Sequence, residues 1–357
     1  MEADQGSPPF LHKKEMEKKR LFGMTLEELR NVVAELAMPK FTATQIADWM
    51  YKKGAETIDQ ITNLSAKNKA LLSEHYEIGR RAPFSNVTSS DGTKKYLYQI
   101  GEKYIETVYI PDKERATLCV SCQVGCKMNC KFCMTGKQGF TQHLTTNEIL
   151  NQIQSIPEFE TLTNVVYMGM GEPMDNVDNI LKSLEILTSD YGYAWSPKRI
   201  TVSTVGLIPG MQRFLKESKC HLAVSLHNPF SEERLAMMPV EKAFKLEKVV
   251  EEIKKYDFTG QRRVSFEYTV FKGSNNLPRH AKMLASLLQG LECRINLIRF
   301  HTIPNVDLEG ASDAEMLAFE SLLKKNGLNA TIRKSRGEDI FAACGLLSSE
   351  RNKKKEE

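Results

Sequence analysis

The chain has 357 residues, of which 41% are apolar and 26% charged, and its formal net charge is +4. That balance describes a globular protein of about two domains, and no apolar run is long enough to span a bilayer, so no membrane partner is expected. A charge this small does not by itself require a nucleic-acid partner, and eight cysteines in such a length do not make a disulfide scaffold.

Residues 1–20 are polar, with Lys13, Lys14, Lys18, Lys19 and Arg20 among them. They lack an apolar core of signal-peptide length and read as a disordered basic tail on a cytoplasmic protein. Residues 21–80 are helical in pattern. Thr25 followed by Glu28 is a capping box, and Leu26, Leu29, Val32, Val33 and Leu36 form an apolar face. Further helices are predicted over 44–53 and 65–76. The result is a helical accessory domain that either packs on the rest or holds a substrate. Over 81–114 the pattern becomes alternating and β-branched around turns at Asp91-Gly92 and Gly101-Glu102, which predicts a β-rich connector.

From 115 to 346 strand and helix alternate. Strands are predicted over 118–123, 164–168, 199–203, 221–226, 263–270, 294–298 and 329–333. Helices are predicted over 145–156, 176–188, 209–217, 246–256, 278–288 and 313–326. Such alternation implies an α/β fold with a parallel sheet and helices outside it. Six units are too few for a closed eightfold barrel, so a partial (βα)6 open TIM-like barrel is expected, with its chemistry on the loops after the strands. Residues 347–357 read as a charged tail.

The loop after the first of these strands holds Cys126, Cys130 and Cys133, spaced C-x3-C-x2-C, with Phe132 before the last thiol. Three thiolates this close suit three corners of a 4Fe–4S cluster, which leaves the fourth iron open to a small molecule. The best-known use of such a site is to hold S-adenosylmethionine (SAM) and cleave its sulfonium bond reductively. Cys119 and Cys122 precede the three, which raises a zinc alternative, but paired zinc knuckles lie about 15–20 residues apart. The loop after the second strand, Met168-Gly-Met-Gly-Glu-Pro173, offers Gly171 for close backbone approach and Glu172 as an acceptor for an ammonium group. Ser203 and the run Ser225-Leu226-His227 end later strands on the same rim.

Three stretches in order carry a family resemblance: Arg115-Ala-Thr-Leu-Cys-Val-Ser-Cys-Gln-Val-Gly-Cys-Lys-Met-Asn-Cys-Lys-Phe-Cys133, Met168-Gly-Met-Gly-Glu-Pro173 and Gly337-Glu-Asp-Ile-Phe-Ala-Ala-Cys-Gly345. Together they resemble the RlmN-type radical SAM RNA methyltransferases, relatives of the Cfr-type C8 methylases. The resemblance implies a substrate adenosine in the peptidyl-transferase region of 23S rRNA and, for many members, the tRNA adenosine 3′ of the anticodon. It also implies two SAM molecules per turnover and a separate reductant such as flavodoxin. Cys126, Cys130 and Cys133 match the cluster ligands. Gly171, Glu172, Ser203, Ser225, Leu226, His227 and His301 fall on SAM contacts, although His301 stands where many members have asparagine. Glu106 matches the general base, Cys344 the cysteine that carries the methyl group, and Cys119 its resolving partner.

The two extra thiols answer a chemical problem. Adenine C2 is electron-poor and will not attack a sulfonium methyl, so the family moves the methyl first to a thiolate. Hydrogen abstraction then makes a carbon radical that adds to C2, and attack of Cys119 on Cys344 releases the RNA with a disulfide. This implies that Cys119 and Cys344 meet in the fold. C8 methylation, a protein-radical activase and a zinc-bearing RNA-binding module are the competing readings. Cys122 is a spare thiol where the family commonly has serine.

Overall fold

A computed structural model describes residues 18–348, and the remaining parts of the two expected tails lie outside the described residues. Residues 18–20 and 347–348, expected in those tails, belong to the fold. Lys19–Arg20 pairs in parallel with Tyr76–Glu77, and Leu21, Phe22 and Leu347 are buried.

Seven strands form the parallel part of the sheet: Arg115–Cys119, Asn164–Tyr167, Ile200–Thr204, His221–Ser225, Val264–Val270, Cys293–Arg299 and Ala330–Ile332. Each pairs in parallel with the next. Crossover helices lie between them: Thr146–Gln154, Val177–Thr188, Ile208–Glu217, Leu246–Ile253, Pro278–Leu287 and Asp313–Lys325. This is the open partial barrel the alternation implied. Strong local signals account for the agreement. Thr145 and Ser312 close capping boxes with Glu148 and Glu315, and proline opens the helices at 208 and 278, where its missing N–H costs nothing.

Two predictions are corrected. The first barrel strand ends at Cys119, not at 123. Beyond it Cys122 N–H donates to Met170 O, and Gln123–Gly125 pairs antiparallel with Phe140–His143. The apolar run there belongs to a tight loop that the strand pattern absorbed. The helix expected over 44–53 is Thr42–Ala47 followed by a wider π-helical turn, Asp48–Lys52.

The β-rich stretch is continuous with the barrel sheet. Ser85–Thr88, Lys94–Ile100 and Lys103–Asp112 form an antiparallel meander whose last strand pairs with Arg115–Cys119. One ten-stranded sheet therefore runs from the meander to the far barrel edge.

The N-terminal domain, with helices Leu26–Glu35 and Ala66–His75, docks on the first two crossover helices through residues outside the second of its own two. Asn147 donates to Phe22 O and Gly79 O at 2.9 and 3.1 Å. Gln154 donates to Met50 O, Arg81 N–H donates to Asn151, and Lys182 pairs with Glu28. Tyr51 packs between Phe22 and Tyr193. Among the described residues no helix is long and apolar enough to cross a membrane.

Candidate active site

A cavity of about 1160 Å³ opens on the loops at the C-terminal ends of the strands and continues down the barrel. It exceeds the usual small-ligand range of about 300–1000 Å³, which leaves room for a cofactor together with part of a macromolecule. Cys119, Cys126, Cys130, Cys133, Gly171, Glu172, Ser203, Ser225, His227 and Cys344 all line it. Glu106, Leu226 and His301 do not.

The cysteine loop is held by backbone bonds within itself and to Met237. Cys126 N–H donates to Gly139 O at 2.9 Å, Lys131 N–H to Met237 O at 3.0 Å and Lys137 N–H to Cys133 O at 3.2 Å. Gly125 has φ +74°, and a Cβ there would stand 1.8 Å from Gly139 O. Only glycine fits both the angle and the space. Burial pushes the Cys126 thiol up to about 12, with Glu172 and Cys133 adding to the rise. Cys130 is also pushed well up by burial and by Cys133 and Cys126, while Arg234 works the other way. Cys126 and Cys130, buried beside the half-buried Cys133, hold their protons until a cation replaces them. The donor set therefore fits a thiolate-bound iron–sulfur cluster. Phe132 packs edge-on against His227 with ring centroids 4.8 Å apart and also meets Phe271.

Across the cavity Glu172 is buried but fully furnished. Its carboxylate accepts from Thr204 Oγ1 at 2.6 Å, Val205 N–H at 2.9 Å and Met174 N–H at 3.1 Å. Burial nonetheless raises it to about 7 against these bonds. Gly171 has φ +102°, and a Cβ there would meet Gln123 Cβ at 2.6 Å. His227 holds φ +56°. Its Nδ1 accepts from Thr269 N–H at 2.9 Å, which puts its proton on Nε2. Burial, with Arg234 nearby, lowers it to about 3, so the ring is neutral. Carboxylate, hydroxyls and an imidazole N–H around one space suit the amino, carboxylate and ribose groups of SAM.

The third part of the site is assembled across the sequence. Cys119 ends the first barrel strand, and Cys344 is exposed on the segment after the last strand. Burial pushes Cys119 up to about 12, with Cys344 adding to the rise and Arg333 opposing it. Although its side chain is open to the cavity, the surrounding cavity walls strip water from the Cys344 thiol and raise it likewise, and Arg333 opposes that too. The two thiols thus feel each other and share one guanidinium. Both are free thiols, and the expected disulfide is not formed.

The Cys344 segment is tied down mainly by the meander and the cysteine loop. Asp91 Oδ2 accepts from Gly337 N–H at 3.1 Å, and Asp339 accepts from Ser89 Oγ and Ser90 N–H. Met134 N–H donates to Gly345 O, and Thr135 Oγ1 donates to Leu347 O. Glu106 lies beneath. Its carboxylate is buried between Lys95 Nζ at 2.8 Å and the N–H of Ser348 at 2.8 Å. Burial raises it above the ordinary carboxylate value, and Lys95 opposes the rise.

Of the two other sequence candidates, Leu226 is a core side chain whose backbone carbonyl accepts from Arg234. His301 Nε2 lies 2.9 Å from Ser335 Oγ, behind the wall. Of the basic residues Arg333, Lys334 and Arg336, the last is engaged by Asp112, whereas the first two are exposed on the cavity.

Sequence reading missed two residues. Arg234 is fully buried and donates to Val205 O, Ser225 O and Leu226 O while paired with Glu241. It thereby fixes two cavity loops. In sequence it stands in a Ser-Glu-Glu-Arg helix start that looks like a solvated face. Glu267 is buried on the cavity wall, with Oε2 unmatched by any hydrogen bond and Arg333 at 3.9 Å. An acid in the middle of a strand was the only signal.

Residues 120–283 match the Radical SAM superfamily, and residues 19–78 match the Ribosomal RNA large subunit methyltransferase N-terminal domain. The crystal structure of a radical SAM methyltransferase from Sphaerobacter thermophilus superimposes with a TM-score of 0.86 at 36% identity, covering 93% of this chain and all of that one. The chain is therefore a radical SAM methyltransferase, of a class built around a 4Fe–4S cluster and SAM. A "Probable dual-specificity RNA methyltransferase RlmN" of Parabacteroides distasonis is 60% identical over 338 residues, 94% of this chain and 98% of its own length. A "Dual-specificity RNA methyltransferase RlmN" of Syntrophus aciditrophicus is 40% identical over 330 residues, 91% and 95% of the two lengths. The chain belongs to the RlmN family of RNA methyltransferases.

Proposed function

We propose that this enzyme methylates C2 of an adenosine in 23S rRNA and of the adenosine 3′ of the tRNA anticodon, with Cys344 as methyl carrier. The observation that supports this best is the meeting of Cys119 and Cys344 in the cavity that also holds the three cluster cysteines.

Cys126, Cys130 and Cys133 would hold a 4Fe–4S cluster, which when bound would supply the electron that cleaves SAM to a 5′-deoxyadenosyl radical. Glu172 takes the ammonium group of SAM, and Ser203, Ser225 and the His227 Nε2–H take its remaining polar groups. Cys344 Sγ accepts a methyl group from one SAM and gives up one hydrogen atom of that methyl after a second is cleaved. The carbon then bonds to adenine C2. Arg333, which favours the ionised form of both thiols, supports the nucleophilic steps at Cys344 and Cys119. Glu106 receives the C2 proton, a task suited by its raised affinity for protons. The base-centred radical left by the addition to C2 would return one electron to the oxidised cluster. Cys119 Sγ then attacks Cys344 Sγ, the sulfur–carbon bond breaks, the released carbon takes up a proton to become the methyl group, and a disulfide that an external reductant must reopen remains.

The test is mass mapping of modified nucleosides in rRNA and tRNA from cells with and without the chain. Loss of 2-methyladenosine from both RNAs is expected. Loss of 8-methyladenosine instead would establish the C8 reaction, and an unchanged RNA profile would remove the RNA assignment.

A further inference from the structure

Several large apolar side chains are exposed, but among the described residues only Phe341 belongs to the segment that carries Cys344. It is 61% exposed and holds φ +53°. That left-handed angle is strained for a bulky residue, and a glycine or asparagine would relieve it. The strain is imposed from both sides. Ile340 packs on the core, Ala342 is buried and donates its N–H to Gly337 O at 2.8 Å, and Asp339 is held by Ser89 and Ser90. Lys95 Nζ stands 3.5 Å from the Phe341 carbonyl. A firmly anchored turn therefore presents one aromatic ring to solvent, three residues before the methyl carrier. Strain of this kind, with no packing gain to offset it, points to a ligand.

We propose that Phe341 is a stacking platform for an RNA base next to the target adenosine; this rests on the function proposed above. The surrounding charges select a base rather than the backbone. Glu338 and Asp339, exposed in the same turn, would repel phosphate, whereas Arg333 and Lys334 stand exposed on the cavity wall and would attract it. Single-stranded RNA is read in this way, with phosphates on basic side chains and unstacked bases on aromatic rings. A firmly held ring three residues from Cys344 would hold the gap left when the target base leaves its stack.

The test uses the full-length, cluster-reconstituted enzyme and a synthetic RNA hairpin with 2-aminopurine beside a loop adenosine. Phe341→Asn should weaken hairpin binding about tenfold and leave RNA-independent SAM cleavage unchanged. Its melting temperature should stay level or rise by about 2 °C as the strain is relieved. Phe341→Trp should keep the affinity and the stacking quench of 2-aminopurine. Unchanged hairpin affinity in Phe341→Asn would overturn the proposal. So would a lowered melting temperature alongside lost affinity, since Phe341 would then be a packing residue. Product mass separates this from the function itself: a wild-type enzyme that makes methyladenosine while Phe341→Asn binds normally loses only the platform.

Discussion

The two loops that bring the reactive thiols together are built by opposite means. The cysteine loop over 126–139 has short-range backbone bonds of its own, joining Cys126 to Gly139, Cys133 to Cys130, Lys137 to Cys133 and Gly139 to Gly136, and Gly125 before it has no room for a side chain. The Cys344 segment has one short turn of its own, Glu338–Ile340, and depends on Asp91, Ser89 and Ser90, far away in sequence. The thiols proposed to hold the cluster thus sit on a part braced largely from within, and the proposed methyl carrier sits on a part held by tethers. Substitutions in the two should fail differently.

The largest contrast lies in the thiols. Cys130→Ser should lose most bound iron and all activity, whereas Cys344→Ala should keep its iron, cleave SAM and give neither RNA product nor RNA adduct. Cys119→Ala should accumulate protein joined to RNA through Cys344, seen as a gel band that collapses after ribonuclease. Normal turnover by Cys119→Ala would end the two-thiol mechanism. Next comes Gly125→Ala, whose methyl would stand 1.8 Å from Gly139 O. It should lose most of its iron without touching a ligand, and iron assay after anaerobic reconstitution would show it.

Asp91→Ala probes the tethered side. Hydrogen bonds hold the Asp91 carboxyl at about 2, against the effect of burial, so it is ionised at working pH. Its loss should lower RNA methylation about tenfold through misplacement of Cys344, with iron content and SAM cleavage preserved. A parallel fall in SAM cleavage would show that the two parts are not separable.

A smaller effect concerns pH. Glu172 is raised from 4.5 to about 7 by burial, so below that pH the empty site carries a proton that an ammonium ligand must displace. SAM affinity should therefore fall as pH drops below about 7, by up to about tenfold per unit. Glu172→Gln should bind weakly with no such slope. The smallest effect is expected of Cys122→Ser. That thiol is buried and stands off the cavity wall, so iron content should be unchanged.

The same contrast explains what the sequence revealed. Barrel strands and crossover helices were legible because capping boxes, helix-opening prolines and β-branched runs are local signals. The cluster cysteines were legible because three ligands fall within eight residues. The roles of Cys344, Cys119 and Glu106 came only from family resemblance, since no periodicity places residue 344 beside residue 119. The clamp of Asp91 on Gly337 was invisible, because Asp91-Gly92 reads equally well as an ordinary hairpin turn. Arg234 was invisible for another reason. A buried arginine is legible only through its partners, and three of the four groups it contacts are backbone carbonyls.

The continuous sheet has a mechanical consequence. The meander carries Glu106 and the Asp91 tether, and it is hydrogen-bonded edge to edge with the barrel strand that ends in Cys119. Such an attachment does not allow the meander to swing as a hinged lid, because opening it would break a row of backbone bonds at once. A large folded RNA must then be admitted by the short loops at the rim while the frame stays still. Turnover of a bulky substrate is in this way entrusted to side chains at the rim, whose rotations are fast, rather than to slow domain closure.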